Sequence, residues 1–174
     1  CASDAWRDQA IAWGIEPQRS RTIYFGRIWP QHAPRPTARQ PTLLFAGRMA
    51  PDKGLHLLLP GFAALLATRP DATLTILAGP GRSWYRVYCE RLIRRLGVAD
   101  AVNWLPAVPR DTLDDLCREY GALLHYSRNE EPVALTLLHA MAAGLPVVTS
   151  RPPRPGAIVI DGRTCLCYDA DRPE

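Results

Sequence analysis

Thr42-Leu43-Leu44-Phe45-Ala46-Gly47-Arg48-Met49-Ala50-Pro51-Asp52-Lys53-Gly54 is the stretch whose reading decides the fold. Residues 43–46 form a short apolar run closed by Gly47, the pattern of a strand buried on both faces. Leu55, Leu58, Leu59, Phe62, Leu65 and Leu66 then recur at helical spacing. A buried strand that passes directly into an amphipathic helix is half of a βαβ unit. Pro60 lies inside that helix, where a proline costs on the order of 3 kcal/mol, so a kink or an irregular first turn is expected there.

The alternation continues outward. Residues 73–78 predict a strand, and Gly79-Pro80-Gly81 leads into a helix with a buried face of Tyr85, Tyr88, Leu92, Ile93 and Leu96, stopped by Gly97. Residues 101–105 predict a third strand. Asp111 and Thr112 are candidate caps for a helix carrying Leu113, Leu116, Cys117 and Tyr120, which ends at Gly121 before a strand at 122–126. A helix over 133–143, stopped by Gly144, leads into Pro146-Val147-Val148-Thr149. Repeated βα units predict the α/β class: a Rossmann-like, doubly wound parallel sheet with helices on both faces. Ligands in such sheets bind beyond the carboxyl ends of the strands, in the loops after Ala46, Ala78, Leu105, Tyr126 and Thr149.

Towards the amino terminus, an amphipathic stretch ends at Gly14, and Arg21-Thr22-Ile23-Tyr24-Phe25 alternates like a strand. Pro30, Pro34, Pro36 and Pro41 then mark an extended linker. The first residue is Cys1, and the last residues have a helix-opening composition, so the chain reads as a segment of a longer protein.

Composition narrows the function. With 47% hydrophobic and 22% charged residues, the 174-residue chain is neither disordered nor a coiled coil. No apolar run reaches the roughly 18 to 20 residues of a spanning helix. The net charge of +4 is mild, so nucleic acid is not the expected partner. Five cysteines and four histidines lack metal-ligand spacing, so no metal site is expected, and reduced thiols fit a cytoplasmic protein. Cys165 and Cys167, two apart in a strand-like stretch, are expected to share one buried face.

The junction 47–54 places Arg48 and Lys53 between two glycines at the start of a helix, where free backbone N–H groups and the positive helix end suit a phosphate. Lys53 is the only lysine among 21 cationic residues. A compact ammonium that arginine cannot replace fits a confined phosphate site. The second constellation runs Ser127-Arg128-Asn129-Glu130-Glu131-Pro132-Val133-Ala134-Leu135-Thr136-Leu137-Leu138-His139-Ala140-Met141-Ala142-Ala143-Gly144-Leu145-Pro146.

Together these motifs resemble the carboxyl-terminal, donor-binding domain of retaining glycosyltransferases of the GT-B fold, family 4 or glycosyl transferases group 1. The resemblance divides the chain into the end of an acceptor domain (1–26), an interdomain linker (27–41) and a nucleotide-sugar-binding domain (42–174) truncated before its last helices. It implies transfer of a hexosyl group from a nucleotide-diphosphate sugar, with retention and with no cofactor or metal. Arg48, Lys53 and Glu131 take the catalytic positions; the first two hold the diphosphate and Glu131 contacts the sugar. Gly47, Val108, Leu135, Thr136 and His139 take donor-binding positions, with loop backbone near 105–108 facing the base and the ring of His139 facing the ribose. Eight residues of helix rise about 12 Å, close to the span from sugar to ribose. The acceptor, a sugar, lipid-linked sugar or small molecule, is presented by the missing amino-terminal domain, and the full-length protein is open to peripheral membrane association.

The chain departs from the family pattern in four places: His139 replaces the second acid of E-x(7)-E, Ala134 a glycine, the stretch Arg151-Pro152-Pro153-Arg154-Pro155-Gly156-Ala157 the G-G-x-P-E loop, and Cys165 the later glycine of D-G-x-T-G. These departures also fit a second reading, a noncatalytic nucleotide-binding or interaction domain of the same fold. An unrelated sugar-phosphate-binding module is a third.

Overall fold

The structure, a computed structural model, describes residues 1–24, 41–126, 134–150 and 158–169. Among the described residues, six strands pair in parallel: β1 (Thr42–Arg48), β2 (Thr73–Gly79), β3 (Val102–Pro106), β4 (Ala122–His125), β5 (Val147–Ser150) and β6 (Leu166–Tyr168). Their order is β3-β2-β1-β4-β5-β6, so the chain winds outward from β1 on one side and then returns to pair β4 on its other side. Five helices accompany them: α1 (Asp4–Ala12), α2 (Leu55–Thr68), α3 (Ser83–Arg95), α4 (Arg110–Cys117) and α5 (Leu135–Ala142). The Rossmann-like expectation holds.

Period-two alternation in β1 explains the two layers. Leu43 and Phe45 face one core, built with Leu55, Leu58, Leu59 and Phe62 of α2 and Tyr85, Cys89, Leu92 and Ile93 of α3. Leu44 and Ala46 face the other, with Cys117 of α4 and Leu137 and Ala140 of α5. Each fully buried leucine or phenylalanine contributes about 1.5–3 kcal/mol, so both faces of the central strand hold the sheet.

Several expectations change. Tyr88 is 45% exposed and Cys89 takes its place in the core, because the buried arc of α3 is centred one residue further round the helix. Helix α2 runs through Pro60 without a break; the irregular turn lies before it, as a 3₁₀ turn at Pro51–Lys53. Helix α4 starts at Arg110 with Pro109 as its N-cap, which puts Asp111 and Thr112 inside the first turn. Residues 21–24 form no strand; Arg21 and Ile23 exchange backbone hydrogen bonds with the single residue Cys1, too short a partner for a ladder. They fold back beside α1, where the Tyr24 hydroxyl donates to the Asp4 carboxylate at 2.5 Å. The linker expected before β1 falls almost wholly on residues outside those described.

Gly54 joins the 3₁₀ turn to α2 at φ +60°, and a Cβ built on it would lie 2.0 Å from the ring of Tyr126. Gly97 has φ +71° with nothing within 4 Å of such a Cβ. The backbone term alone is about 1–2 kcal/mol, and overpacking adds about 1–3 kcal/mol. Gly97→Ala is therefore expected to lower the unfolding free energy by about 1 kcal/mol and Gly54→Ala by about 3 kcal/mol in urea titrations. Tyr126→Ala should cancel part of the Gly54→Ala loss; equal losses at the two glycines would contradict the packing described.

Candidate functional site

The winding of the chain reverses between β1 and β4, and in open α/β sheets ligands occupy the crevice at such a reversal. The loop after β1 supplies Gly47, Arg48 and Lys53. A Cβ on Gly47 would sit 3.8 Å from Cγ of Lys53, so the lysine stem runs back along the end of β1 and the residue is half-buried. Arg48 turns outward, 59% exposed, with its guanidinium 3.1 Å from Asp52. An exposed pair of this kind is worth about 0–1 kcal/mol, so a bound anion can readily compete for the guanidinium.

Neither helix start near this crevice has a side-chain N-cap. Gly54 caps α2 and Ala134 caps α5, and neither gives a side-chain hydrogen bond to the first-turn N–H groups. Leu135 and Thr136 therefore stand at a helix start whose amides are oriented for an anion. Tyr85, buried on α3, braces the start of α2: its hydroxyl accepts from the His56 N–H at 3.3 Å and lies 2.8 Å from His56 Nδ1. Arg82 N–H donates to the Met49 carbonyl at 2.8 Å, tying the β2–α3 loop to the β1–α2 loop.

His125, at the end of β4, was not read from the sequence as a functional residue. It is buried with Nδ1 2.9 Å from Thr149 Oγ1, and its carbonyl accepts from the Tyr168 hydroxyl at 3.3 Å. Burial, then the Lys53 ammonium, push its pKa down to about 4, so it is neutral at physiological pH. Gly54, packed on the Tyr126 ring, sets the neighbouring Lys53 beside the end of β4 that carries His125.

His139 is 6% exposed, with Nδ1 2.7 Å from Oδ1 of Asp114. The Asp114 carboxylate holds one nitrogen of this buried ring. Val108 is half-buried in the β3–α4 loop and packs on the α4–α5 core. Glu131 and Ala157 lie outside the described residues. Among the described residues, no three His, Cys, Asp or Glu side chains gather as a metal site, and no helix is long and apolar enough to cross a membrane. Cys165 and Cys167 share a face with their sulfurs 3.7 Å apart, as their spacing implies.

Residues 29–174 match the family model described as Glycosyl transferases group 1. The chain is 35% identical over 127 residues to a D-inositol 3-phosphate glycosyltransferase of Streptomyces avermitilis, covering 70% of this chain and 27% of that protein. It is 35% identical over 138 residues to a glycogen synthase of Mycobacterium tuberculosis, covering 78% and 32%. The chain thus spans about a third of the length of these curated relatives. The crystal structure of Anabaena Alr3699/HepE in complex with UDP-glucose superposes with a TM-score of 0.82 at 22% identity, over 97% of this chain and 49% of that one.

Two outcomes follow from the buried histidines. The folded pKa of His125 lies below its ordinary value of 6.5, so the neutral form is the one that folding favours. Its contribution is complete above about pH 6.5 and is lost as pH falls towards 4, about 3 kcal/mol in all. Urea titrations of wild type and His125→Gln across that window should show a shallower fall for the variant. His139→Glu would set a second carboxylate against Asp114 and is expected to cost about 3 kcal/mol. Asp114→Asn in the same chain should recover most of the loss, and neither variant should tighten the binding of UDP or GDP sugars in calorimetric titration.

Proposed function

The chain belongs to the glycosyl transferases group 1 family, and from that premise we propose that it is the donor-binding part of a retaining hexosyltransferase. The observation that carries this reading is the β1–α2 junction. Lys53 is held along Gly47 at the foot of α2, whose N-cap Gly54 offers no side-chain acceptor, next to the crevice where the winding reverses. A diphosphate placed there meets an ammonium, a guanidinium on a weak tether and the positive end of α2.

In this reading the donor is a nucleotide-diphosphate sugar. Lys53 and Arg48 stabilise the charge that develops on the departing diphosphate, the role a divalent ion would otherwise fill. The start of α5 at Leu135 and Thr136 faces the phosphates, backbone near Val108 faces the base, and Glu131 meets the transferred hexose. The leaving diphosphate oxygen assists deprotonation of the acceptor on the same face of the sugar, which retains the anomeric configuration. The acceptor is presented by a domain beyond this chain. UDP in neighbouring structures of this fold makes a uridine diphosphate sugar the first donor to try.

The buried Asp114–His139 pair favours a second reading, in which nucleotide binding persists without transfer. One experiment separates the two. In the full-length protein, Lys53→Ala should lower transfer by about a hundredfold or more, the loss of about 3 kcal/mol typical of one oriented charge at a transition state. Lys53→Arg should fail similarly, and neither change should alter thermal stability by more than a degree or so. Product anomers read by NMR should match the donor, and EDTA should leave the rate unchanged. A nucleotide-induced thermal shift with no transfer by wild type would establish the second reading, and activity of Lys53→Ala within threefold of wild type would refute the first.

A further inference from the structure

The outward stripe of α3 has no part in the site described. Trp84, Val87 and Tyr88 are 55%, 43% and 45% exposed, and Leu57 on the adjoining α2 is 44% exposed. Trp84, Val87 and Tyr88 stand at i, i+3 and i+4, Arg91 and Arg95 continue the same line, and Arg94 lies beside it. The opposite face of the helix, Tyr85, Cys89, Leu92 and Ile93, is buried. The exposed rings rest on a rigid base: Trp84 meets Tyr85 edge-on at 5.8 Å, Tyr88 stacks on Tyr85 at 6.4 Å, and His56 meets Tyr88 at 6.0 Å.

Charge is segregated onto the same segment. Residues 55–95 contain six of the 21 cationic residues and two of the 17 acidic ones, so they carry the whole net charge of +4 and the remainder of the chain is balanced. Helix α2 has no acidic residue, and the only acid of α3, Glu90, pairs with Arg86 at 2.9 Å. Arg86 itself lies over the Trp104 ring at 4.7 Å, away from the stripe.

We propose that this stripe is a docking surface for an anionic lipid bilayer. Tryptophan and tyrosine place an apolar body and a polar tip at headgroup depth, and arginines above them attract anionic headgroups. The stripe carries three arginines and no acid, so an anionic surface complements its charge, which a second copy with the same net charge of +4 does not. The aromatic half lies at the amino end of α3, on the sheet edge that also carries the β1–α2 loop. Docking there sets the crevice beside the membrane surface, within reach of an acceptor held in it. The inference stands on the surface alone and does not need the donor reading.

Co-sedimentation of the intact protein with vesicles tests it. Vesicles of phosphatidylglycerol and phosphatidylcholine should bind the protein at low salt and release it at roughly 0.5 M salt, while phosphatidylcholine alone should not bind it. Trp84→Ala/Tyr88→Ala should weaken binding about tenfold. Arg91→Gln/Arg94→Gln/Arg95→Gln should weaken it about a hundredfold, at about fivefold per arginine. All five side chains are exposed, so thermal melting should be unchanged and loss of binding cannot be put down to unfolding. No binding to the anionic vesicles, equal binding to both kinds, or variants that bind like wild type would overturn the proposal. A concentration-dependent dimer abolished by Trp84→Ala/Tyr88→Ala, without vesicle binding, would reassign the stripe to self-association.

Discussion

The ring of Tyr126 rests on the backbone of Gly54, and the geometry of the sheet's carboxyl edge follows from that contact. It fixes how the loop after β1 approaches the end of β4, since any side chain at Gly54 would meet the ring. The loop is thereby held in a 3₁₀ turn that ends in a left-handed residue, and α2 can start directly behind it. Lys53 precedes that residue, so its backbone position is set by packing between two strands. A surface lysine on a free loop would lose rotamer entropy on binding an anion; a lysine whose stem already lies along Gly47 has less to lose.

The two helical layers differ in chemistry. The α2–α3 layer is apolar within, with the Tyr85 hydroxyl as its main buried polar group, and burial raises the pKa of Tyr85 and moves that of Cys89 up to about 11. The α4–α5 layer contains the Asp114–His139 pair, and His125 and Thr149 lie at the strand ends on the same side. Buried ionisable pairs seldom add net stability, because desolvation offsets the attraction. They do penalise alternative packings that would separate the partners. The α4–α5 side is thus the one sensitive to substitution of single polar atoms and, through His125, to pH, and the α2–α3 layer is the mechanical base.

Much of this was legible in the sequence because local pattern determined it. The run 43–46 and the leucines of α2 define a buried strand and its helix without reference to anything distant. The order of strands was not legible, since nothing local to 122–125 says that it pairs with β1 rather than extending the sheet beyond β3. Nothing local to the sequence marks Asp114, because its partner His139 is 25 positions away and belongs to another helix. Tyr88 was misplaced since Tyr85, Tyr88 and Leu92 also satisfy helical spacing, on an arc that differs by a fraction of a turn. Arg21 to Tyr24 alternate correctly for a strand, but alternation carries no information about whether a partner exists. His125 shows no motif at all; only burial beside Thr149 and Lys53 gives it meaning.

Strand β1 joins partners acquired at very different distances along the chain. It pairs with β2 across a single helix, whereas its pairing with β4 closes a loop of nearly eighty residues, anchored where Gly121 N–H reaches the Thr42 carbonyl and hydroxyl at 2.8 and 3.1 Å. Closure entropy rises with loop length, and long-range parallel pairing forms slowly. The half from β1 to β3 can therefore assemble as a local unit while β4 to β6 dock on the free edge of β1 afterwards. The crevice that opens over Lys53 and His125 lies along this seam, so during synthesis it is completed only when the later half has docked.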